Sequence, residues 1–353
     1  MVKEPENSNL SLFKRIVSYN GIIFISIGIL ARVFMLIFYY WIQIIQPGRS
    51  WGDIETNYYD IEIYPPLTQI FLLFFKFLSF GSLEVLAFWA FFFDILIMIQ
   101  FYFVLKSFEI PNKIYAYGLF FINPFLFLNN VFSLSNCGYH ITDSFFFLLF
   151  FTALYYYPKT KKIHRYLFYS FLALSIAAKL YTLPVLGFLF LKLIYEKDWE
   201  EFKIFLITHV VFISIFLISP FFFLEGYIEF FGFWNLRGEG YLPFYIRIIP
   251  AAVLAVSFLL FRFKKADALE IIFVSIFVMA SFIFFSNPYI RYFQPFIFLG
   301  ILRPKLYFTI NINLKITSFK LKVDNNLLIF IISVGCVLIA FLLIIFVLEP
   351  TYF

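Results

Sequence analysis

Residues 48–68 read Gly48-Arg49-Ser50-Trp51-Gly52-Asp53-Ile54-Glu55-Thr56-Asn57-Tyr58-Tyr59-Asp60-Ile61-Glu62-Ile63-Tyr64-Pro65-Pro66-Leu67-Thr68. Asp53, Glu55, Asp60 and Glu62 bring carboxylates into one short stretch between apolar runs, with Arg49 beside them. Carboxylates so grouped could supply a general base or hard-cation ligands. They could equally form a solvated acidic loop, because loop charges are commonly just exposed.

A second group of polar residues lies in or near apolar segments. Lys179 stands in Ile176-Ala177-Ala178-Lys179-Leu180-Tyr181, where a charge at the bilayer centre would cost on the order of 2.5–3.5 kcal/mol on insertion scales. Such a lysine either snorkels to the interface or binds an anion such as phosphate. Arg237 and Arg247 flank Gly238-Glu239-Gly240-Tyr241-Leu242-Pro243-Phe244, and Arg291 follows Asn287-Pro288. Arginine suits bidentate phosphate contact and serves as well as an interfacial anchor. Gly138-Tyr139-His140-Ile141-Thr142-Asp143-Ser144 offers Tyr139, His140 and Asp143. A lone loop histidine is more often solvated than a ligand, so a site role is expected for Asp143 and a weaker one for His140. Arg32, Lys76 and Asp94 also interrupt apolar runs, and Asp94 is expected to face the bundle and pair there.

The elements that must position these residues follow from composition. Of 353 residues 63% are hydrophobic, 25% aromatic and only 14% charged. About a quarter charged is usual for a soluble domain, so the surplus apolar surface must face lipid. The run from Gly21 to Ile45 is long enough to cross a hydrocarbon core, which takes about 20 helical residues, and it is read as an uncleaved first span. Further helices are expected at Val85–Leu105, Ile114–Phe132, Ser144–Tyr157, Leu167–Ala178, Thr182–Leu193, Ile204–Leu224, Ile246–Phe261, Leu269–Phe285, Tyr289–Leu302 and Leu327–Leu348. With the first, these make about eleven transmembrane helices in an all-α, polytopic membrane protein. Leu67–Phe80 is expected to be re-entrant or interfacial.

The chain reads as one integral membrane domain, 1–353, with a cytoplasmic N-terminal segment (1–20) and a first outer loop (46–66). Three basic clusters then fall on one side: Lys159, Lys161, Lys162 and Arg165; Arg262, Lys264 and Lys265; Arg303, Lys305, Lys315, Lys320 and Lys322. By the positive-inside rule that side is cytoplasmic. The polar segments described above fall on the other, extracytoplasmic or lumenal, side. The formal charge of +6 therefore orients a membrane protein and implies no nucleic-acid partner. Two cysteines, Cys137 and Cys336, are too few for a disulfide framework or a four-ligand zinc site.

An acidic Asp-x-Glu loop directly after the first helix, followed by Tyr64-Pro65-Pro66-Leu67-Thr68, resembles the C-type glycosyltransferases (GT-C superfamily), multi-pass enzymes that use polyprenyl- or dolichyl-phosphate-linked sugars. Scattered pieces extend the resemblance over most of the chain: Phe93-Asp94-Ile95-Leu96, Asn123-Pro124, Gly138–Ser144, Ala178-Lys179-Leu180-Tyr181-Thr182-Leu183-Pro184 and Asn287-Pro288-Tyr289-Ile290-Arg291-Tyr292. The resemblance implies a catalytic role for Asp53. A positioned carboxylate base can contribute about 100- to 10,000-fold, and the leaving phosphate needs no second carboxylic acid, unlike glycoside hydrolysis. It needs cations, for which Lys179, Arg237, Arg247 and Arg291 are the candidates. Glu55, Asp60, Tyr64, Tyr139, His140 and Asp143 are left for the acceptor or a secondary site, with Asp60 the second choice as base.

The expected activity is inverting transfer of a hexose, mannose or glucose, to a lipid-linked glycan or glycolipid. No cofactor or metal site is expected, with a divalent cation left open. A lipid-linked sugar flippase or secondary transporter is the alternative, and a noncatalytic membrane subunit a third.

Overall fold

Long runs of Phe, Ile and Leu favour helices that bury one side on each other and leave the rest to lipid. The computed structural model describes residues 7–48, 51–124, 126, 140–220, 244–284, 298, 300–303, 306–313, 318–324, 327–335 and 338. In chain order the helices are α1 (Asn7–Ile45), α2 (Asp53–Tyr59), α3 (Pro66–Leu78), α4 (Leu83–Ser107), α5 (Lys113–Phe121) and α6 (Ile141–Tyr156). They continue with α7 (Lys162–Ala178), α8 (Pro184–Glu196), α9 (Trp199–Ile213), α10 (Phe244–Phe261) and α11 (Ala268–Phe284). Residues Ser214–Ile218 extend α9 as a π-helical turn.

Three of these helices are long and apolar enough to cross a membrane: Gly21–Ile45, Leu83–Ser107 and Trp199–Ile218. Counting the bent pair α7 and α8 as one span makes four, against about eleven expected from the apolar runs. The difference arises where runs are broken. The run from Ile114 is interrupted at Ile122-Asn123, after α5, and α3 has 13 residues, roughly 20 Å of helix, less than a full crossing takes. Leu67–Phe80, expected to be re-entrant or interfacial, forms this short helix. The expected spans at Tyr289–Leu302 and Leu327–Leu348 lie largely outside the described residues. The helical expectation holds for the body of the chain, and the departure is an antiparallel β-hairpin, β1 (Leu306–Asn313) with β2 (Ser318–Asp324). It occupies what was read as a basic loop.

Close packing uses glycine where backbones meet. A Cβ on Gly21 of α1 would lie 2.6 Å from the carbonyl oxygen of Ile114, and one on Gly118 of α5 would lie 2.7 Å from that of Gly21. Small residues at such a crossing let helices approach in lipid, where apolar contact alone gives no preference. Arg32 sits one layer further along α1. Its Nε donates to Asp94 Oδ2 of α4 at 3.0 Å, and its Nη1 donates to the carbonyls of Phe121 (2.6 Å) and Gly28 (3.2 Å). The guanidinium also covers the Phe121 ring at 4.4 Å. Asp94 thus pairs inside the bundle as the sequence implied.

Polar contacts gather one set of turns. Arg165 meets Glu201 at 3.0 Å and Lys162 meets Glu200 at 3.6 Å. Lys192 of α8 donates to the carbonyls of Phe263 (3.2 Å) and Lys264 (3.0 Å), and Arg303 pairs with Asp267. The α6–α7, α8–α9 and α10–α11 turns therefore share one end of the bundle. At the other end of those helices lie α2, α3, the start of α6 and the break between α7 and α8.

Candidate functional site

The first loop is not irregular. Gly52 precedes α2 at φ 61°, ψ −132°, a region open essentially to glycine alone, and so turns the chain from α1 into α2. Asp53 begins α2, Asp60 ends it, and Glu62 lies in the 3₁₀ turn Ile61–Ile63. Pro66 then starts α3 at the position where a missing N–H costs nothing. Gln69 Nε2 donates to the Tyr64 carbonyl at 2.8 Å, and Lys76 Nζ donates to the Tyr58 carbonyl at 2.8 Å over the Tyr58 ring. Lys76 is thereby accounted for: a cation at the C-terminal end of α2, where the helix dipole favours it. Tyr39 Oη adds a bond to the Trp51 carbonyl at 2.8 Å.

The second component is the break after α7. Ala178 ends the helix, Lys179 is extended, Leu180–Thr182 form a 3₁₀ turn, and Pro184 opens α8 with a 116° change of direction. A break leaves carbonyls without helical partners, and each must be satisfied. Thr68 Oγ1 donates to the Ala178 carbonyl at 2.5 Å. The Lys179 N–H bonds to the Ser175 carbonyl at 3.0 Å. Ser175 Oγ donates to Leu172 O at 2.7 Å, so the 3.2 Å contact between Thr182 Oγ1 and Ser175 Oγ has Thr182 as donor. Thr68 belongs to the Pro65-Pro66-Leu67-Thr68 motif, so that motif is physically joined to the Lys179 break 110 residues on.

The third component is the start of α6. Its first turn holds Asp143, where a carboxylate suits the positive helix end. Lys179 Nζ donates to Asp143 Oδ1, and Tyr181 Oη donates to the same oxygen at 3.2 Å. The ammonium lies 4.8 Å from the Tyr181 ring, and Phe146 packs edge-on against that ring at 5.2 Å. The Lys179 and Asp143 side chains are 15% and 7% exposed. His140 is buried at the N-cap of α6.

The structure therefore brings Lys179, Asp143 and Tyr181 together and joins their break to α3, while α2 packs against α3, α4 and α6. Glu55 is half-buried, and Asp60 and Glu62 are exposed. Of Asp53 and Arg247 only the backbone is described, in α2 and α10, and Tyr139, Arg237 and Arg291 lie outside the described residues. Among the described residues no group of three His, Cys, Asp or Glu could hold a metal ion.

Asn57, which the sequence reading passed over, is 1% exposed, and both its amide atoms lack hydrogen-bond partners among the described residues. It follows Asp53 by one helical turn on α2. An unsatisfied buried polar group costs about 1–3 kcal/mol, so the amide is a standing demand for a partner. An amide between Thr56 and Tyr58 on a seven-residue helix carries no local pattern that would have singled it out. No protein-family profile, curated protein or solved structure matches this chain.

Proposed function

We propose that the chain is a membrane glycosyltransferase of GT-C type, moving a hexose from a polyprenyl- or dolichyl-phosphate donor to a lipid-linked glycan or glycolipid with inversion. The observation that carries this reading is convergence. Three pieces of the resemblance lying far apart in sequence, Pro65–Thr68, His140–Asp143 and Ala178–Pro184, are joined by Thr68 to Ala178 and by Lys179 and Tyr181 to Asp143.

In this reading the acidic loop faces the extracytoplasmic or lumenal side, the basic turns and the N-terminus face the cytoplasm, and the shorter helices complete a multi-pass bundle tilted around the site. The donor enters sideways from the bilayer. Lys179, held in place by Asp143 and Tyr181, meets the departing phosphate, because positioned cations stabilise charge as it develops. Arg237, Arg247 and Arg291 are further candidates for the same anion. Asp53 takes the proton of the acceptor hydroxyl as its oxygen bonds to the anomeric carbon and the phosphate leaves from the opposite face. The Asn57 amide satisfies itself on a hydroxyl brought by the sugar or the acceptor.

The sharp bend between α7 and α8 also favours a second reading, a lipid-linked sugar flippase, since broken helices line transport sites. It is the one such bent pair among the described residues, whereas repeat-built transporters carry matching breaks in their two halves. The separating experiment supplies purified wild type and Asp53→Asn with a panel of radiolabelled polyprenyl-phosphate monosaccharides and a lipid extract as acceptor. Transfer by wild type that is lost in a folded Asp53→Asn protein is the expected result. Sugar changing leaflet in vesicles without any donor consumed would replace the enzyme with the flippase.

A further inference from the structure

The β-hairpin takes no part in the site, and its pattern calls for a different partner. The register sets Phe308 opposite Val323, Ile310 opposite Leu321 and Ile312 opposite Phe319; between them Thr309 faces Lys322, Asn311 faces Lys320 and Asn313 faces Ser318. Opposed residues share a face of the sheet and successive residues alternate faces. Over Phe308–Asn313 and Ser318–Val323 one face of the ribbon therefore carries six apolar positions and the other six polar ones, two of them lysine; past the irregularity between Leu306 and Phe308, Leu306 pairs with Asp324.

A lone two-stranded hairpin is marginal in water and needs a surface for its apolar side. Among the described residues each strand pairs most extensively with the other, and the ribbon's last residue, Asp324, lies near Tyr115 of α5. The surface is chosen by where the ribbon is tied. Arg303, just before it, pairs with Asp267 in the α10–α11 turn. Asp324, its last residue, accepts from the Leu327 N–H at 3.0 Å and so starts the next helical segment, residues 327–335. Ser333 in that segment is held by Asn123 Nδ2 at 3.0 Å. The hairpin thus hangs between apolar elements at the end of the bundle where the basic turns gather, the level at which a bilayer surface meets a membrane protein. Among the described residues there, Arg303, Lys320 and Lys322 outnumber Asp324.

We propose that β1 and β2 form a membrane-surface ribbon that binds anionic phospholipid: the Phe308, Ile310, Ile312, Phe319, Leu321 and Val323 face sits in the boundary between acyl chains and headgroups, and the lysines engage the lipid phosphates. The ribbon spans roughly 25 Å, so it covers several headgroups. Each lysine beside an anionic surface strengthens binding about fivefold. The proposal is independent of the glycosyltransferase reading and needs only a membrane.

The test uses the full chain in nanodiscs of phosphatidylcholine with and without phosphatidylglycerol. Bound lipid is counted by native mass spectrometry after gentle detergent exchange. Phosphatidylglycerol is expected to be retained over phosphatidylcholine by wild type and by Lys264→Gln/Lys265→Gln, and retained on the order of 20-fold less by Lys320→Gln/Lys322→Gln. Equal retention of the two lipids by wild type, or an unchanged preference in Lys320→Gln/Lys322→Gln, overturns the proposal. A second measurement uses spin labels at positions 310 and 311 in a chain lacking Cys137 and Cys336. Oxygen contact at 310 and water contact at 311 support the ribbon, whereas a label at 310 shielded from both shows that protein covers that face and overturns it.

Discussion

Among the described residues two ion pairs are buried on both sides, and they differ in how they are built. Arg32 and Asp94 are 2% and 3% exposed and join α1 to α4 within continuous helices, with the guanidinium further tied to the carbonyls of Gly28 and Phe121. Lys179 and Asp143 are 15% and 7% exposed, and they meet where one helix breaks and another begins. The first pair is spent on backbone carbonyls and holds three helices together. The second is built from side chains on either side of a discontinuity, next to the acidic loop. The first pair thus sits where helices only need holding together, and the second at a break of the kind that lines binding sites in membrane proteins.

Breaking the first pair carries the largest expected effect. Asp94→Ala removes the carboxylate that balances the buried Arg32 charge, and should destabilise the protein by about 3–5 kcal/mol, read as a lower detergent-melting temperature and a lower yield. Arg32→Met/Asp94→Leu removes both charges, should restore stability to near wild type, and should leave sugar transfer intact. Loss of transfer in that folded double variant would erase the distinction between the two pairs. Lys179→Met comes next. It should lower transfer by roughly 100- to 1,000-fold, as removing one positioned charge-stabilising group does.

Thr68→Val sharpens the comparison further. It leaves the Ala178 carbonyl without its donor, should cost about 1–3 kcal/mol, and should reduce transfer because the Lys179 break loses its tie to α3. A variant that melts lower yet transfers normally would uncouple that tie from the site. The smallest effect is expected at Asn57→Leu. Replacing an unsatisfied buried amide with an apolar side chain of similar size should raise stability by about 1 kcal/mol, with transfer falling if the amide serves a substrate hydroxyl. A melting temperature below wild type would show that the amide already has a structural partner.

How much of this was legible in the sequence depends on range. Most helix positions followed from apolar runs, but the helix expected from Thr182 begins at Pro184, because a proline suits the first helical position and Leu180–Thr182 form a separate 3₁₀ turn. Asp94 was expected to pair inside the bundle, yet its partner lies 62 residues away, and nothing local in an apolar helix names it. The bond from Thr68 to Ala178 was beyond reach for the same reason. The hairpin was missed differently. Its alternation from Phe308 to Ile312 is a local, period-two signal, but in a chain with 58 Phe apolar residues are common enough that the lysines at 315, 320 and 322 dominated the reading and a loop was expected. The shortness of α5 was not foreseen: the helix expected over Ile114–Phe132 ran through Asn123-Pro124, a turn signal that falls where the helix is interrupted.

The central claim is that the Lys179 break and the acidic loop form one site for a lipid-phosphate-linked sugar. The most direct test compares sugar transfer from polyprenyl-phosphate donors by wild type, Lys179→Met and Arg32→Met/Asp94→Leu, all purified and shown to be folded by thermal melting. The account predicts transfer by wild type and by the double variant, with Lys179→Met reduced at least 100-fold. Transfer by Lys179→Met at the wild-type rate, or no transfer by any of the three from any donor, would contradict it.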